Sequence, residues 1–432
     1  MKMTKYKLSE LVEVTRGASL SGQFYAEEGK LVRLTLGNFN MNGGGFKENT
    51  SKTDLYFTGT VRDEFILNEG DIITPLTEQS LGLLGTTARI PESGKYIQSQ
   101  DVALVRCKKG LLDPNFCYYL ISSSIVRQQL SAAAQQTKIR HTSPEKIKDC
   151  TVWVPDFDVQ KNIGRILTDI DNKIAINRQI NDNLEAMAKQ LYDYWFVQFD
   201  FPNEEGKPYK SSGGAMVWNE KLKREIPQGW SDCVLGDYIV RITNGLNPRK
   251  NFVLGSGNNY YVTIRSLVGT TIDWNNCDRC DDEALSKINS RSQLQIGDII
   301  FSAIGTIGRT YYILEEPTNW NISETSFTLR AKENVPNDFF YGMLRSNEIQ
   351  IKADKAAMGS TLRCLVMDSL CSLQYIEIPS YMMKLFAAKV SPLYRQIHRN
   401  NKEIAELTKQ RDELLPLLMN GQASINYHLS AC

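Results

Sequence analysis

Three histidines, His141, His398 and His428, are all that the sequence offers for imidazole chemistry, and their surroundings differ. His398 falls on an expected helix and His428 in the C-terminal tail, so no pair forms a general-base or metal constellation. Cys277-Asp278-Arg279-Cys280 has the spacing of half a zinc site, but one such pair supplies two of the four ligands required. Without a second pair or a nearby histidine it reads as solvent-facing thiols in an acidic loop. No GxxxxGK[ST] string exists to cradle a nucleotide phosphate. An amino-methyltransferase would need an Asn/Asp-Pro-Pro-aromatic turn. Asp113-Pro114-Asn115-Phe116 lacks the second proline and reads as the start of a helix. Pro155-Asp156 followed by Asp171-Asn172-Lys173 has a loose nuclease spacing. On a helix, however, Asp171 and Lys173 point in different directions and cannot share one metal. The expectation is a chain with no catalytic residues, no metal and no cofactor of its own.

What remains is architecture. The chain has 432 residues, enough for more than one core, with 42% apolar and 23% charged residues, an ordinary globular usage. No run of eighteen apolar residues is present, and the N-terminal MKMTKYKLSE has no apolar secretory core. Nine cysteines at irregular spacing read as reduced thiols, which points to a cytoplasmic protein. Fifty basic against 49 acidic side chains remove any bulk electrostatic argument for nucleic acid.

The chain repeats itself at a long period. Leu67-Asn68-Glu69-Gly70-Asp71-Ile72-Ile73, then Gly85-Thr86-Thr87-Ala88-Arg89, answer Leu294-Gln295-Ile296-Gly297-Asp298-Ile299-Ile300 and Gly305-Thr306-Ile307-Gly308-Arg309. Further on, Leu104-Val105-Arg106 answers Thr328-Leu329-Arg330 and Phe116 answers Phe340. Val154-Pro155 then answers Ile378-Pro379, and Asn177 and Ile180 answer Asn401 and Ile404, all near a spacing of 224. Each match is weak alone, and their common order carries the inference.

Each copy has a globular and a helical part. Residues 1–156 and 227–380 mix short strands, such as 31–36 and 298–301, with turns and with amphipathic stretches at 116–130 and 338–353. Residues 157–200 form one long helix with Ile163, Ile166, Ile170, Ile174, Leu184, Met187 and Leu191 as its stripe. Residues 381–421 form another with Val390, Leu393, Ile397, Ile404, Leu407, Leu414 and Leu418, while Pro392 and Pro416 limit its first turns and its end. Asn177 and Asn401 lie on or near these seams, either fixing register or standing half-exposed in a wide stripe. Residues 201–226 are a turn-rich connector and 422–432 a tail. The fold class is α+β: two mixed α/β globules in tandem, two long antiparallel helices as a coiled-coil spacer, and internal pseudo-two-fold symmetry.

This plan resembles the specificity (S) subunit of Type I restriction-modification systems. The resemblance rests on the Gly70–Ile73 and Gly297–Ile300 strands, the 305–309 turn, the Pro227-Gln228-Gly229-Trp230 opening, and the Leu191–Pro202 run LYDYWFVQFDFP. It covers about residues 5–421. The first copy departs from it, lacking a Pro-x-Gly-Trp opening and carrying Ala88 for the second glycine of the turn. The resemblance implies a non-catalytic reader of double-stranded DNA whose two globules are target-recognition domains for the halves of a bipartite, asymmetric site. The helices would then set the gap between the halves and dock two methyltransferase (M) subunits, which motor-nuclease (R) subunits join. S-adenosylmethionine, ATP and magnesium belong to those partners. The assembly would be an adenine-specific DNA methyltransferase and endonuclease that defends against foreign DNA. The alternative is a coiled-coil adaptor that never touches DNA.

Charge bears on the reading. Residues 1–156 carry 19 basic and 17 acidic side chains, net +2, and residues 227–380 carry 14 and 17, net −3. Basic groups must therefore be segregated and partners must add grip. The acidic cluster Asp278, Asp281, Asp282 and Glu283 is expected away from DNA. Base readout needs Arg, Lys, Asn, Gln, Ser or Thr on loops that reach a groove. The candidates are Gln135, Gln136, Thr137, Lys138 and Arg140 with His141 beside them, answered by Ser360, Thr361 and Arg363. The resemblance places this segment near DNA. A second group follows the Gly-Asp strand: Thr77, Gln79 and Ser80, then Ser302, Thr306 and Arg309. Asn244, Asn247, Arg249 and Lys250 read as a polar surface loop.

Overall fold

A computed structural model of the chain describes residues 1–40, 44–78, 82–133 and 140–423. The chain divides into two compact units, one of Met1–Ala175 with the residues from Ile404 on, the other of Ile176–Glu403. Each long helix therefore contributes one half to each unit.

The first unit centres on a four-stranded antiparallel sheet in the order Val12–Arg16, Val102–Cys107, Ile72–Pro75, Ala88–Arg89. Strand Thr4–Lys7 pairs with Thr151–Val154, and Leu31–Arg33 runs parallel to Tyr96–Ile97. The second unit repeats the plan: Ile239–Asn244, Ser326–Ala331, Ile299–Ser302, Thr310–Tyr312 in one sheet, Ser231–Val234 on Gln374–Glu377, and Asn259–Val262 parallel to Trp320–Ile322. The Gly-Asp motif has the same local cause in both. Asp71 Oδ2 accepts the Asn68 amide at 2.9 Å, and Asp298 Oδ2 the Gln295 amide at 2.9 Å. The intervening Gly70 and Gly297 sit at φ +83° and +95°, where a side chain is strained.

The amphipathic stretches at 116–130 and 338–353 are each two helices, Pro114–Ser122 with Ser124–Ala133, and Asn337–Leu344 with Asn347–Ala356. Serine breaks both. Ser123 Oγ donates to the Leu120 carbonyl at 2.6 Å, and Ser346 Oγ accepts the Ile349 amide at 3.3 Å. Asp113 caps the first of these helices through the Phe116 amide at 3.0 Å, with Pro114 in its first turn.

These boundaries correct the repeat spacing. Helix starts Pro114 and Asn337, breaks Ser123 and Ser346, strand ends Val154 and Glu377, and long-helix starts Phe157 and Ser380 all lie 223 apart, not 224. Phe116 therefore matches Phe339, and Asn177 matches Asn400. Both asparagines are buried.

The first long helix runs Phe157–Tyr192 and ends in a wide turn at Asp193–Val197; the second runs Ser380–Met419, through Pro392 and Pro416. Pro392 removes one amide donor, and the Ala388 carbonyl it would have met lies on an exposed face. In the first unit Ile163 and Leu167 join Leu418 and Met419 in one core with Phe116, Leu120 and Val152. Asp171, the decoy acid, is held by Arg411 at 2.9 Å and by the Tyr119 hydroxyl at 2.7 Å. Burial, then the neighbouring Asp171 charge, pushes the Tyr119 hydroxyl far above its ordinary range.

In the second unit Asn177 Nδ2 donates to Glu403 at 2.8 Å and Asn181 Nδ2 to Asn401 Oδ1 at 2.8 Å, while Asn400 Nδ2 donates to Asn181 Oδ1 at 2.8 Å. Rising numbers meet falling ones, so the strips pair antiparallel there. The seam differs from the expected stripe. Ile163, Ile174 and Ile397 are buried, whereas Ile166, Ile170, Leu184, Leu191, Ile404, Leu407 and Leu414 are half-buried and Met187 and Ile180 exposed. Leu167, Asn177, Asn181, Ala188 and Tyr192 continue the buried line from Ile163. Two asparagines in that line hide it from a reading of apolar residues alone.

The connector is more ordered than a run of turns. Met216–Asn219 pairs with Arg224–Pro227, and Trp230 stacks on Phe201 (5.0 Å, 10°), which stacks on Tyr209 (4.8 Å). Cys280 is fully buried, correcting the solvent-facing reading, and Asp281 caps helix Asp282–Arg291 through the Ala284 amide at 2.8 Å. The acidic cluster is thus mainly a helix start, where negative charge is favoured. Among the described residues no helix is long and apolar enough to cross a membrane.

Candidate DNA-reading loops

Both candidate stretches of each unit are joined in space. In the first, Arg140-His141 forms a strand pair with Thr77-Glu78, and the Thr142 amide donates to the Leu76 carbonyl at 2.8 Å. In the second, the Leu365 amide donates to the Ala303 carbonyl at 2.8 Å and the Gly305 amide to the Arg363 carbonyl at 2.8 Å. The partners match at spacings of 227 and 223, so this junction is part of the repeat.

The two arginines are fastened alike. Arg140 Nη2 donates to the Ser131 carbonyl, and Arg363 Nη2 to the carbonyl of Asp354, the residue matching Ser131. Each guanidinium thus ties its loop to the end of the preceding helix. Their second partners differ. Arg140 Nη1 lies 3.0 Å from Glu78, whose carboxylate is 2% exposed and accepts the amides of Gly82, Leu83 and Leu84 at 3.1, 2.9 and 3.0 Å. Gly305 stands where Glu78 does, and Arg363 pairs instead with Asp354 Oδ2 at 3.3 Å near the surface.

Other candidates are similarly engaged. Ser302 is buried, donating to the Thr306 carbonyl at 2.6 Å and accepting the Arg309 amide at 2.7 Å. Arg309 Nη1 donates to the carbonyls of Ile264 and Leu267, both at 2.9 Å. Thr77 is buried, while Thr306, Ser360, Thr361 and His141 are exposed. Gln79, Ser80, Gln135, Gln136, Thr137 and Lys138 lie outside the described residues. Asn244 holds Arg291 at 2.7 Å, and Asn247 caps the Pro248–Lys250 turn and donates to Glu324 at 2.8 Å, which are structural roles.

Sequence reasoning missed Arg265 and Lys355. Both are exposed, Arg265 next to the Ile264 whose carbonyl Arg309 holds and Lys355 on the helix before Arg363, and neither belongs to an ion pair among the described residues. Their only signal is a lone basic residue beside a loop. Among the described residues no cluster of three His, Cys, Asp or Glu side chains is placed to hold a metal. His398 lies 3.2 Å from Glu315, whose carboxyl is held below the usual range by Lys402 first and His398 second.

Residues 1–186 match the family described as Type I restriction modification DNA specificity domain. Those residues, a little under half of the chain, carry a domain of that family. A Type I restriction enzyme MjaIX specificity subunit from Methanocaldococcus jannaschii is 26% identical over 325 residues, spanning 74% of this chain and 71% of that protein. A HindI specificity subunit from Haemophilus influenzae is 21% identical over 378 residues, 76% of this chain and 81% of that protein. The crystal structure of a Type-I restriction-modification S subunit from M. genitalium aligns with a TM-score of 0.60 at 16% identity, covering 99% and 97% of the two chains. That likeness extends the family fold over the second unit. The relatives in both comparisons are named as specificity subunits.

Proposed function

We propose that each unit reads one half of a bipartite, asymmetric DNA site through the loop that its arginine fastens. The observation that carries this is the same junction built twice at matched positions, in a chain whose first 186 residues match a DNA specificity domain. Arg140 and Arg363 act in it as loop-positioning residues. Base contact falls to the exposed Ser360, Thr361 and Thr306 in the second unit, and for the other half-site the candidates read from the sequence are Gln135, Gln136, Thr137, Lys138, Gln79 and Ser80.

Partners follow from the family: DNA and the other restriction-modification subunits. We infer two M subunits docked on the long helices, R subunits joining them, and S-adenosylmethionine, ATP and magnesium held on those partners in a cytoplasmic assembly. A 36-residue helix spans about 54 Å, longer than the 34–36 Å between half-sites one helical turn apart. The spacer halves therefore set the gap, and the domains run as 1–156, 157–200, 201–226, 227–380 and 381–421. Residues 227–380, with net charge −3, bind weakly alone, so partner subunits supply phosphate contacts.

The test is a mobility-shift titration of the chain with its M partner against a selected split site and a scrambled duplex, at several salt concentrations. Strong preference for the split site with a steep salt slope supports the reading. Equal affinity for both duplexes overturns it.

A further inference from the structure

The hairpin of residues 358–364 presents an apolar tip. Among the described residues only four large apolar side chains are 62% exposed or more: Val240, Val253, Met358 and Leu362. Two of those four share this one hairpin. A single exposed leucine calls for no explanation, but two on a rigid tip do.

The rigidity is visible in the backbone. Met358 and Cys364 exchange amide-to-carbonyl bonds of 2.9 and 2.8 Å, and Cys364 also bridges Ile304. Gly359 turns the chain at φ +97°, where a Cβ would meet the Leu362 carbonyl at 2.5 Å. Arg363 ties the base to the carbonyls of Asp354 and Ala357. Both arginines singled out as base readers are thereby engaged within the protein: Arg363 in this tie and Arg309 on the carbonyls of Ile264 and Leu267. The outward groups of the tip are two apolar side chains and the hydroxyls of Ser360 and Thr361; Lys355 just before the hairpin, and Arg265 next to the Ile264 that holds Arg309, are exposed, in no ion pair among the described residues, and serve as phosphate contacts.

We propose that Leu362, on the hairpin that also carries Met358, contacts the 5-methyl group of a thymine in the half-site read by the second unit, making it a specificity-determining residue. The inference rests on the DNA-reading function above. The major groove offers one apolar feature on an unmodified base edge, the thymine methyl, and apolar side chains recognise it there. Hydroxyls beside it bond any base edge and so leave the apolar contact to discriminate.

The experiment replaces each thymine of the selected site in turn by 2′-deoxyuridine, which removes only that methyl. Binding is measured for the complex of the chain and its M partner, unmodified and as L362A. The proposal expects one thymine in the second unit's half-site at which uracil weakens binding about fourfold. In L362A that loss vanishes, while uracil elsewhere acts as before. It is overturned if no uracil in that half-site weakens binding, or if L362A keeps the full uracil effect. Loss of M-partner association in L362A, with the uracil response intact, assigns the tip to a protein contact and also overturns it. Failure to prefer the split site at all strikes the DNA-reading function itself, a result distinct from these. V253A, at an exposed apolar side chain outside the hairpin, keeps the uracil effect, and denaturant unfolding of L362A that matches the unmodified chain controls for its fold.

Discussion

The junctions at Arg140 and Arg363 share one backbone design and two electrostatic solutions. In the first unit the guanidinium meets a carboxylate that is 2% exposed and further held by three backbone amides. In the second the matched position is Gly305, and the arginine turns to an acid on the helix surface. The backbone tie is what the duplication preserved. The ion pair is local, and its burial decides what it contributes. Removing one partner of a buried pair leaves an uncompensated charge, whereas an exposed pair contributes little.

The largest effect expected is from Arg140→Ala, which strands Glu78 in a buried site. About 3 kcal/mol of the first unit's stability should be lost, read by denaturant unfolding. A change under about 1 kcal/mol would mean that the three amides suffice for Glu78 and that the two junctions are energetically equal. Glu78→Gln should cost less, about 1–2 kcal/mol, because the neutral amide still accepts backbone bonds while losing the charge. Asn181→Ala removes two hydrogen bonds from the polar layer and leaves Asn400 and Asn401 each short of a partner. A cost of about 1–2 kcal/mol to the second unit is expected by the same measurement. Arg363→Ala should be smallest in stability, within about 1 kcal/mol, while loosening its loop. Its signature is a relaxed preference at the second half-site alone, checked by selection from randomised DNA.

Much of this was legible in the sequence. The paired Gly-Asp strands, the Asp113-Pro114 helix start and the two long helices follow from local chemistry that neighbours do not override. The seam was not fully legible, since Asn177 and Asn181 are polar and only their partners across the helix pair show why they are buried. The one-residue slip in the repeat arises between Arg106 and Pro114, where spacing drops from 224 to 223 inside a turn. The candidate loops could be named from the sequence, but not what holds their arginines. Composition identifies a guanidinium without showing that carbonyls from 9 to 45 residues away already occupy it. Cys280 misled for the same reason: a buried thiol just before a helix start looks like part of an exposed acidic loop when only composition is read.

The central claim is that the two units read independently. The most direct measurement is to exchange residues 227–380 for the corresponding segment of another family member and map the DNA positions the reconstituted complex then methylates. The account predicts that one half-site changes while the other half and the gap between them stay as they were. Alteration of both halves, or of neither, would contradict it.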